Sequence, residues 1–333
     1  MNEPSPLVAA QQKFVDALPS RSLATESCPL EQALGRVLTK DVTAPSDMPP
    51  YHRVIVEGFL IHSEDSQGAG EDKPITFKVT GTVMPGDRKC PAFGRGQAVR
   101  VATGSIAPDG AYAVVRMFEA KQKGEEFSIA RPFPPRFFLE DQGCDIKKGA
   151  VAVAAGTRLE ASHIGTIAGL GITRVDVSVQ PKVTIFASGN EVVPYTQPPV
   201  PGQIRDSNSV MLAAAVTAAG GIPDMAGIMS DDFDRFVTAV KSALGHADMI
   251  VISGGTAVGG RDFISDLVKA VGELIIDGVP MRSGRPLIMG RSGKKPIVCV
   301  AGHPPEALRG FRLFGAAALD RLQGRAAELP LDQ

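Results

Sequence analysis

The stretch Met249-Ile250-Val251-Ile252-Ser253-Gly254-Gly255-Thr256-Ala257-Val258-Gly259-Gly260 joins a short apolar run to a glycine-rich loop, and Asp262 follows closely. The apolar run predicts a buried strand. A buried strand that ends in a glycine-rich loop before a helix start surrounds a small concavity with backbone N–H groups, which suits a phosphate or another oxyanion. Many strand-to-helix turns are glycine-rich for steric reasons alone, so this loop by itself leaves both explanations open.

Turns of similar composition recur in the second half of the chain. Each combines glycine with polar side chains: Ala187-Ser188-Gly189-Asn190-Glu191, Gly202-Gln203-Ile204-Arg205-Asp206-Ser207-Asn208, Met281-Arg282-Ser283-Gly284-Arg285-Pro286 and Ala301-Gly302-His303-Pro304. In an open parallel sheet, the carboxyl ends of the strands form the crevice where ligands bind. The pattern therefore predicts a ligand site at one edge of such a sheet, and a phosphorylated small molecule is the first hypothesis.

From Lys182 onward, predicted strands alternate with predicted helices, which indicates a doubly wound α/β domain. We expect strands at 183–186, 226–229, 249–252 and 297–300, and helices at 207–219, 232–244, 263–271 and 304–322. Ser207 and Asn208 suit a helix start, and Gly220-Gly221 suits a helix end. Helix capping therefore explains Ser207 and Asn208 as well as ligand binding does.

The first half of the chain predicts a different organisation. An amphipathic helix is predicted near Pro29, because the apolar residues have helical spacing: Leu30, Ala33, Leu34, Val37 and Leu38. Short apolar pieces broken by glycine and proline then predict a small β domain, and the segment 159–170 predicts a helix. We expect a multidomain α/β protein with an N-terminal helical region at 1–45 and 135–178, an inserted small β domain at 46–134, a doubly wound α/β domain at 179–325 and a tail at 326–333.

The composition excludes several classes of protein. The 333 residues carry 35 basic and 36 acidic side chains, so the formal net charge of −1 gives no electrostatic footprint for nucleic acid or for a membrane surface. No apolar run approaches the roughly 18 residues of a membrane helix, and we expect a cytoplasmic protein. The four cysteines form no C-x-x-C pair, so neither a zinc site nor a redox pair is indicated.

The order of these motifs resembles that of the molybdopterin-binding domain in the molybdopterin molybdenumtransferases, the family that includes the gephyrin E-domain. The first half of the chain is similar too, and the resemblance covers nearly the whole chain in order. The front-half motifs are Ala33-Leu34-Gly35-Arg36-Val37-Leu38, Asp41-Val42, Pro45, Pro49-Pro50, Glu57-Gly58-Phe59, Thr103-Gly104, Pro108-Asp109-Gly110-Ala111 and Ala113-Val114-Val115.

The resemblance implies an enzyme that inserts molybdate into adenylylated molybdopterin and releases AMP. It implies that Glu191 and Asp262 hold magnesium, and that Arg282 and Arg285 face the anionic substrates. The resemblance also implies that Asp262, Arg282 and Arg285 act in catalysis. Glu57 and Asp145 would act with them and would come from the front half of the partner subunit in a homodimer. The implied substrate contacts are Thr103, Gly104, Ser188, Gly189, Asn190, Glu191, Asp206, Ser207, Asn208, Ser253, Gly254, Gly255, Thr256, Gly259, Gly284, Pro286, Gly302, His303 and Pro304.

The chain departs from the family pattern at several of these positions. Where the family has Asp-Asn-Ser-Ala-Met-Asp-Gly-Tyr, this chain has His52-Arg53-Val54-Ile55-Val56-Glu57-Gly58-Phe59. Arginines replace both lysines of Lys-Pro-Gly-Lys-Pro at Arg282 and Arg285, which changes the geometry of the positive groups. Asn190 replaces the Asp of Gly-Asp-Glu, and His303 replaces the Asn of Pro-Gly-Asn-Pro.

The departures keep other functions open. The family usually continues into a further small β domain, which we expect this chain to lack. The second hypothesis is therefore a non-catalytic protein that binds molybdopterin or the molybdenum cofactor and delivers it to a molybdoenzyme. A third is a different nucleotide-linked hydrolase built on the same α/β domain.

Overall fold

The computed structural model describes residues 5–19, 24–230, 232–254, 261–279 and 286–327, and for residues 261 and 262 it describes the backbone alone. The chain divides into two compact units. The first contains Met1–Asp41, Ala154–Gly165 and Thr173–Gln333, and the second contains Val42–Val153 and Thr166–Ile172. None of the described helices has the length and apolar character that crossing a lipid bilayer requires.

Elements are numbered in chain order. The strands of the first unit are β1 (Thr25–Pro29), β12 (Arg174–Ser178), β13 (Lys182–Ser188), β14 (Val192–Val193), β15 (Ile204–Arg205), β16 (Ile222–Met229), β17 (Met249–Gly254), β18 (Glu273–Asp277), β19 (Ile288–Ser292) and β20 (Lys295–Val300). Its helices are α1 (Pro6–Ala17), α3 (Asn208–Ala218), α4 (Phe233–Leu244), α5 (Arg261–Val271), α6 (Pro304–Gly310) and α7 (Ala316–Leu322). A π-helical turn, Phe311–Gly315, joins α6 to α7, and α2 (Ala161–Gly169) belongs partly to each unit.

The first unit is built on a six-stranded sheet with the order β16-β13-β17-β20-β19-β18. The strands β16, β13, β17 and β20 are parallel, whereas β19 is antiparallel to both of its neighbours. After β13 the chain moves outward to β16 and then returns to the other side of β13 as β17. This reversal places the topological switch point between β13 and β17, where an open α/β sheet binds its ligands. The predicted fold class is confirmed.

Two apolar layers cover the opposite faces of this sheet. Along β17, Met249 and Val251 point into one core cluster, and Ile250 and Ile252 point into the other, as the two-residue period of a strand requires. The first cluster includes residues of α1, α3, α6 and α7, and the second includes residues of α4 and α5. The thiol of Cys299 lies in the second cluster, and its burial raises its pKa far above the usual range.

The predicted helix at Leu30 to Leu38 is wrong. Leu30–Gln32 forms a single 3₁₀ turn, after which Gly35 adopts a φ of 76° and Leu34 is 65% exposed. Val37 and Leu38 instead form β-bridges with Arg158 and Val177. The helical spacing was coincidental, because the left-handed backbone at glycine interrupts the helix that the apolar pattern suggests.

The N-terminal helix lies earlier in the chain, at α1, where no helix was predicted. Pro6 occupies its first position, and the Ser5 hydroxyl accepts a hydrogen bond from the backbone N–H of Val8 at 3.4 Å. Serine followed by proline is a recognised signal for a helix start, so this element was accessible from the sequence. The ring of Phe14 lies 6.0 Å from that of Phe314, which anchors α1 in the first core cluster.

The strands β18 and β19 were also missed. The two residues Gly293 and Lys294 join β19 to β20 as a hairpin, with Ser292 opposite Lys295. A prediction based on strands that alternate with helices does not reveal a strand that is joined to its neighbour by a tight turn. This pair extends the parallel part of the sheet by an antiparallel edge.

The second unit is a β structure. Its strands are β2 (Val42–Thr43), β3 (Arg53–Val54), β4 (Gly58–His62), β5 (Ile75–Val83), β6 (Gln97–Val101), β7 (Tyr112–Arg116), β8 (Lys121–Lys123), β9 (Glu126–Ile129), β10 (Leu139–Glu140) and β11 (Val151–Val153). A six-stranded sheet has the order β7-β4-β6-β5-β9-β8, and β10 pairs with β3 and β11 with β2. Phe59 and Phe77 stack on Phe127 at centroid distances of 4.2 and 5.4 Å. The boundaries at residues 45, 134 and 178 given by the sequence remain a proposal.

The core of the first unit gives a stability test. Phe314→Ala removes a fully buried ring that contacts Phe14, so we expect the free energy of unfolding to fall by about 3–5 kcal/mol. The matched control is Phe118→Ala, which truncates a ring that is 78% exposed and should change stability by less than about 0.5 kcal/mol. Urea unfolding curves measure both, and equal losses would contradict this packing.

Candidate functional site

The carboxyl ends of β13 and β17 approach each other closely. Ser188 lies opposite Gly254 in the parallel register, and Gly254 has a φ of 90°. A Cβ atom at Gly254 would lie 2.5 Å from the carbonyl oxygen of Ser188, and one at Gly302 would lie 3.6 Å from the Cα atom of Gly254. Glycine is therefore required at Gly254, because any side chain would push the two strand ends apart.

Asn208, the first residue of α3, joins two of the strand ends. Its Nδ2 donates to the hydroxyl of Ser253 at 2.8 Å and to the carbonyl oxygen of Gly302 at 2.7 Å. The Ser253 hydroxyl in turn donates to the carbonyl oxygen of Ala301 at 3.2 Å. These bonds fix the end of β17 against the turn that follows β20, so Asn208 and Ser253 hold the shape of the crevice.

Three buried polar atoms beside this network have no hydrogen-bond partner among the described residues. They are the hydroxyl oxygens of Ser188 and Ser209 and the Oδ1 atom of Asn208. Both serines are 4% exposed, so their hydroxyls are largely shielded from bulk solvent. An unsatisfied buried polar group costs about 1–3 kcal/mol, and such groups are retained where a ligand or ordered water completes the bonding.

The start of α3 settles which residue caps the helix. The Oδ1 atom of Asp206 accepts a hydrogen bond from the backbone N–H of Ser209 at 2.9 Å, and Asp206 is 9% exposed. The Ser207 side chain makes no capping bond. The helix is therefore capped by Asp206 and not by Ser207 or Asn208, for which the sequence left both capping and ligand binding open.

The turn after β13 presents one exposed carboxylate. Gly189 has a φ of 145°, and a Cβ atom there would lie 2.8 Å from both carboxylate oxygens of Glu191. The turn is fixed by hydrogen bonds from the backbone N–H of Val192 to Gly189 and from that of Ile204 to Glu191. Among the residues that the structure describes, no cation forms an ion pair with Glu191. Its charge is therefore available to a ligand.

The remaining predicted residues of this half divide into two groups. Asn190 and His303 are exposed at strand ends, Pro304 begins α6, and Pro286 is buried ahead of β19. Asp262 lies in α5, but its side chain is outside the described residues. Also outside them are Gly255, Thr256, Gly259, Arg282, Gly284 and Arg285.

The front-half candidates lie in the second unit, around β3. The backbone N–H of Gly104 donates to the carbonyl oxygen of Val54 at 2.8 Å, and the Gly104 carbonyl accepts the Tyr51 hydroxyl at 3.1 Å. The neighbouring Thr103 and Glu57 are exposed. Thr103 and Gly104 therefore lie directly beside the strand that leads to Glu57.

Asp145 lies on a turn that is also tied to this strand. Its Oδ2 atom is 3.6 Å from Nη2 of Arg53. Sequence reasoning noted Arg53 only as a departure from the family pattern. Nε of Arg53 also donates to Oε2 of Glu140, which lies 87 residues further along the chain, so no local pattern could have predicted this contact.

Comparisons with known proteins agree with this architecture. The family model described as the MoeA N-terminal region (domain I and II) matches residues 6–171, and the one described as a probable molybdopterin binding domain matches residues 184–321. The Staphylococcus epidermidis protein named molybdopterin molybdenumtransferase is 30% identical over 302 residues, which cover 90% of this chain and 72% of that protein. The chain belongs to the molybdopterin molybdenumtransferase family. The resemblance found in the sequence is confirmed.

Other members of the molybdopterin molybdenumtransferase family show the same extent of similarity. A Bacillus subtilis protein of that name is 33% identical over 296 residues, which cover 87% of this chain and 69% of the relative. The crystal structure of the molybdopterin biosynthesis MoeA protein from Pyrococcus horikoshii OT3 has a TM-score of 0.80 at 30% identity, and the match covers 97% of this chain and 80% of that one. The fold described above is therefore that of solved members of the family.

The close approach of the strand ends can be tested by substitution. In Gly254→Ala the added Cβ atom meets the Ser188 carbonyl, so we expect a loss of stability greater than that of Gly293→Ala by at least about 1 kcal/mol. Gly293 is a matched control because its φ of 58° is also positive, but nothing lies within 4 Å of an added Cβ atom. Denaturant titration measures both variants, and equal stabilities would mean that β13 and β17 do not meet as described.

Proposed function

We propose that this protein inserts molybdate into adenylylated molybdopterin and releases AMP. Two observations support the proposal: the membership of a family whose named relatives are molybdopterin molybdenumtransferases, and the crevice at the carboxyl ends of β13, β17 and β20. The composition offers no alternative in nucleic acid or membrane binding, because basic and acidic residues are nearly equal in number.

The observation that carries the proposal is a set of buried polar atoms at the topological switch point that have no partner in the described part of the chain. The hydroxyls of Ser188 and Ser209 can each donate or accept, and Oδ1 of Asn208 can only accept. A bare oxyanion offers acceptors alone, so it would leave Asn208 Oδ1 unsatisfied. A pterin offers both N–H donors and carbonyl acceptors, and it therefore matches this mixed set better than phosphate or molybdate does.

The glycine-rich loop that starts at Ser253 would hold the phosphates of the same ligand. Backbone N–H groups at such a loop are suitable donors to phosphate oxygens. In this proposal Gly254, Gly255, Thr256 and Gly259 belong to that cradle. Arg282 and Arg285 would contribute positive charge to the anionic groups, with their planar guanidinium groups in place of the family's lysines.

We further propose that magnesium acts in the reaction, held by Glu191 and Asp262. Within the described part of the chain, no group of three or more His, Cys, Asp or Glu side chains could hold a metal. Magnesium does not need such a group, because it keeps several waters and binds through one or two carboxylates and the substrate phosphates. The carboxylate of Glu191, which is exposed and forms no ion pair with any described residue, fits that mode. When bound, the ion would neutralise phosphate charge.

The other expected features are part of the same proposal. Glu57 and Asp145 would supply catalytic carboxylates, the active form would be a homodimer, and the product would pass to a molybdoenzyme in the cytoplasm. The substitution at Glu57 keeps the family's carboxylate and adds one methylene.

The decisive assay follows the nucleotide and the pterin together. Purified protein is mixed with adenylylated molybdopterin and magnesium, with and without molybdate, and both AMP release and pterin retention are measured. We expect AMP release that requires molybdate. Tight pterin retention without AMP release would contradict the transferase reaction and would indicate a carrier.

The proposed metal ligand can be tested separately. Asp262→Asn removes one charge, so we expect a weaker affinity for adenylylated molybdopterin in the presence of magnesium and a nearly unchanged melting temperature. The matched control is Asp266→Asn on the same helix, where the wild-type carboxylate pairs with Lys269 at 3.1 Å on an exposed surface. Calorimetric titration and thermal unfolding measure both, and a large fall in melting temperature would make Asp262 a structural residue instead.

A further inference from the structure

The two residues that depart from the family's Asp-Asn pair both contact one turn of the second unit. This turn runs from Asp141 to Ile146 and carries Asp145. On one side, backbone N–H groups of Asp145 and Ile146 both donate to the carbonyl oxygen of Met48 at 3.0 Å. These bonds fix the backbone of the turn, His52 adds a further bond to that backbone, and Arg53 contacts the side chain of Asp145.

Arg53 links two carboxylates. It lies opposite Glu140 in the antiparallel pair of β3 and β10, and its Nε atom donates to Oε2 of Glu140 at 2.8 Å. Its Nη2 atom also donates to Glu140, and the same Nη2 is 3.6 Å from Oδ2 of Asp145. The hydrogen bonds to Glu140 raise the pKa of Arg53, so the guanidinium stays charged.

His52 supports the turn from its other end. Its Nδ1 atom accepts a hydrogen bond from the backbone N–H of Gln142 at 3.1 Å, and Nη2 of Arg136 lies 3.0 Å from the same nitrogen. These contacts hold the imidazole ring against the start of the turn. An aspartate at this position, as in the family, would place a further negative charge beside Asp141.

We propose that Arg53 is a positioning residue that orients the carboxylate of Asp145 for the transferase reaction. The inference rests on the proposed function, because Asp145 has a catalytic role only if that reaction occurs. The family's asparagine has no charge and a shorter side chain, so it could not join two carboxylates in this way. In this chain Glu140, Arg53 and Asp145 form a connected set in which Arg53 fixes the direction of the last carboxylate.

A double-mutant cycle tests this coupling. Arg53→Gln should lower kcat for molybdate-dependent AMP release by about ten- to a hundredfold with little change in KM, because the displaced carboxylate acts after binding. Asp145→Asn should be impaired as well, and adding Arg53→Gln to it should cause less than about a twofold further loss. Arg95→Gln, which breaks ion pairs with Glu64 and Asp65 in the same unit, is the control that should leave kcat unchanged.

The possible outcomes separate the inference from the proposed function. Losses that multiply in the double variant would overturn the inference, as would full activity of Arg53→Gln beside an impaired Asp145→Asn. Full activity of Asp145→Asn would overturn both the positioning role and the catalytic role of Asp145. Arg53→Lys keeps the charge but loses the planar fork, so we expect it to recover only part of kcat.

The thiol of Cys144 gives a readout that does not depend on the reaction. Cys144 is exposed, Cys90 is half-exposed, and Cys28 and Cys299 are buried. The substitution Cys90→Ser therefore leaves Cys144 as the accessible thiol. Desolvation and the charges of the neighbouring carboxylates raise the pKa of Cys144, and the charge of Arg53 opposes this rise.

In the Cys90→Ser background, Arg53→Gln should therefore raise the pKa of Cys144 further. Fewer thiols are then ionised at neutral pH, so alkylation by iodoacetamide slows, while Arg53→Lys and Arg95→Gln leave the rate nearly unchanged. The dependence of the alkylation rate on pH gives the change in the pKa of Cys144 directly. An unchanged or faster reaction in Arg53→Gln would overturn the placement of Arg53 beside the turn, whether or not the protein releases AMP.

Discussion

The parallel pairing of β13 with β17 is the constraint on which the candidate site depends. The two strands end side by side, with Ser188 opposite Gly254. Because glycine has no Cβ atom, the two backbones can approach closely at this point. Because the chain leaves β13 toward one edge of the sheet and returns to its other side, the helices diverge at this point. The crevice and its unpartnered polar atoms are consequences of that reversal.

The polar residues around the crevice have distinct structural roles. The carboxylate of Asp206 caps the start of α3, and the amide nitrogen of Asn208 donates hydrogen bonds to Ser253 and Gly302. What remains for a ligand is the oxygen of Asn208 and the hydroxyls of Ser188 and Ser209. One short motif, Asp206-Ser207-Asn208, thus contains a helix cap, a residue with no capping bond and a bridge between strand ends. A motif alone does not separate these roles.

The departures from the family pattern in the front half are consistent with one another. Arg53 places a positive charge beside the carboxylates of Glu140 and Asp145. His52 accepts a backbone hydrogen bond beside Asp141, where a carboxylate in place of the imidazole would be repelled by the Asp141 carboxylate. Substitutions that look disruptive one position at a time become a coherent set once their partners are known.

The sequence by itself determined the alternating parallel strands and helices of the α/β domain, because strands such as β17 are continuously apolar and glycine marks where they end. It did not reveal the antiparallel strands β18 and β19. It also determined the family, since short motifs in a fixed order need no knowledge of contacts. It failed at Leu30 to Leu38, where a left-handed Gly35 overrides an apolar spacing that resembles a helix. Only the tertiary structure decided which strand end Asn208 binds and which carboxylates Arg53 joins. The reason is distance along the chain: Asn208 and Gly302 are 94 residues apart, and Arg53 and Glu140 are 87 apart, so their interactions exist only after folding.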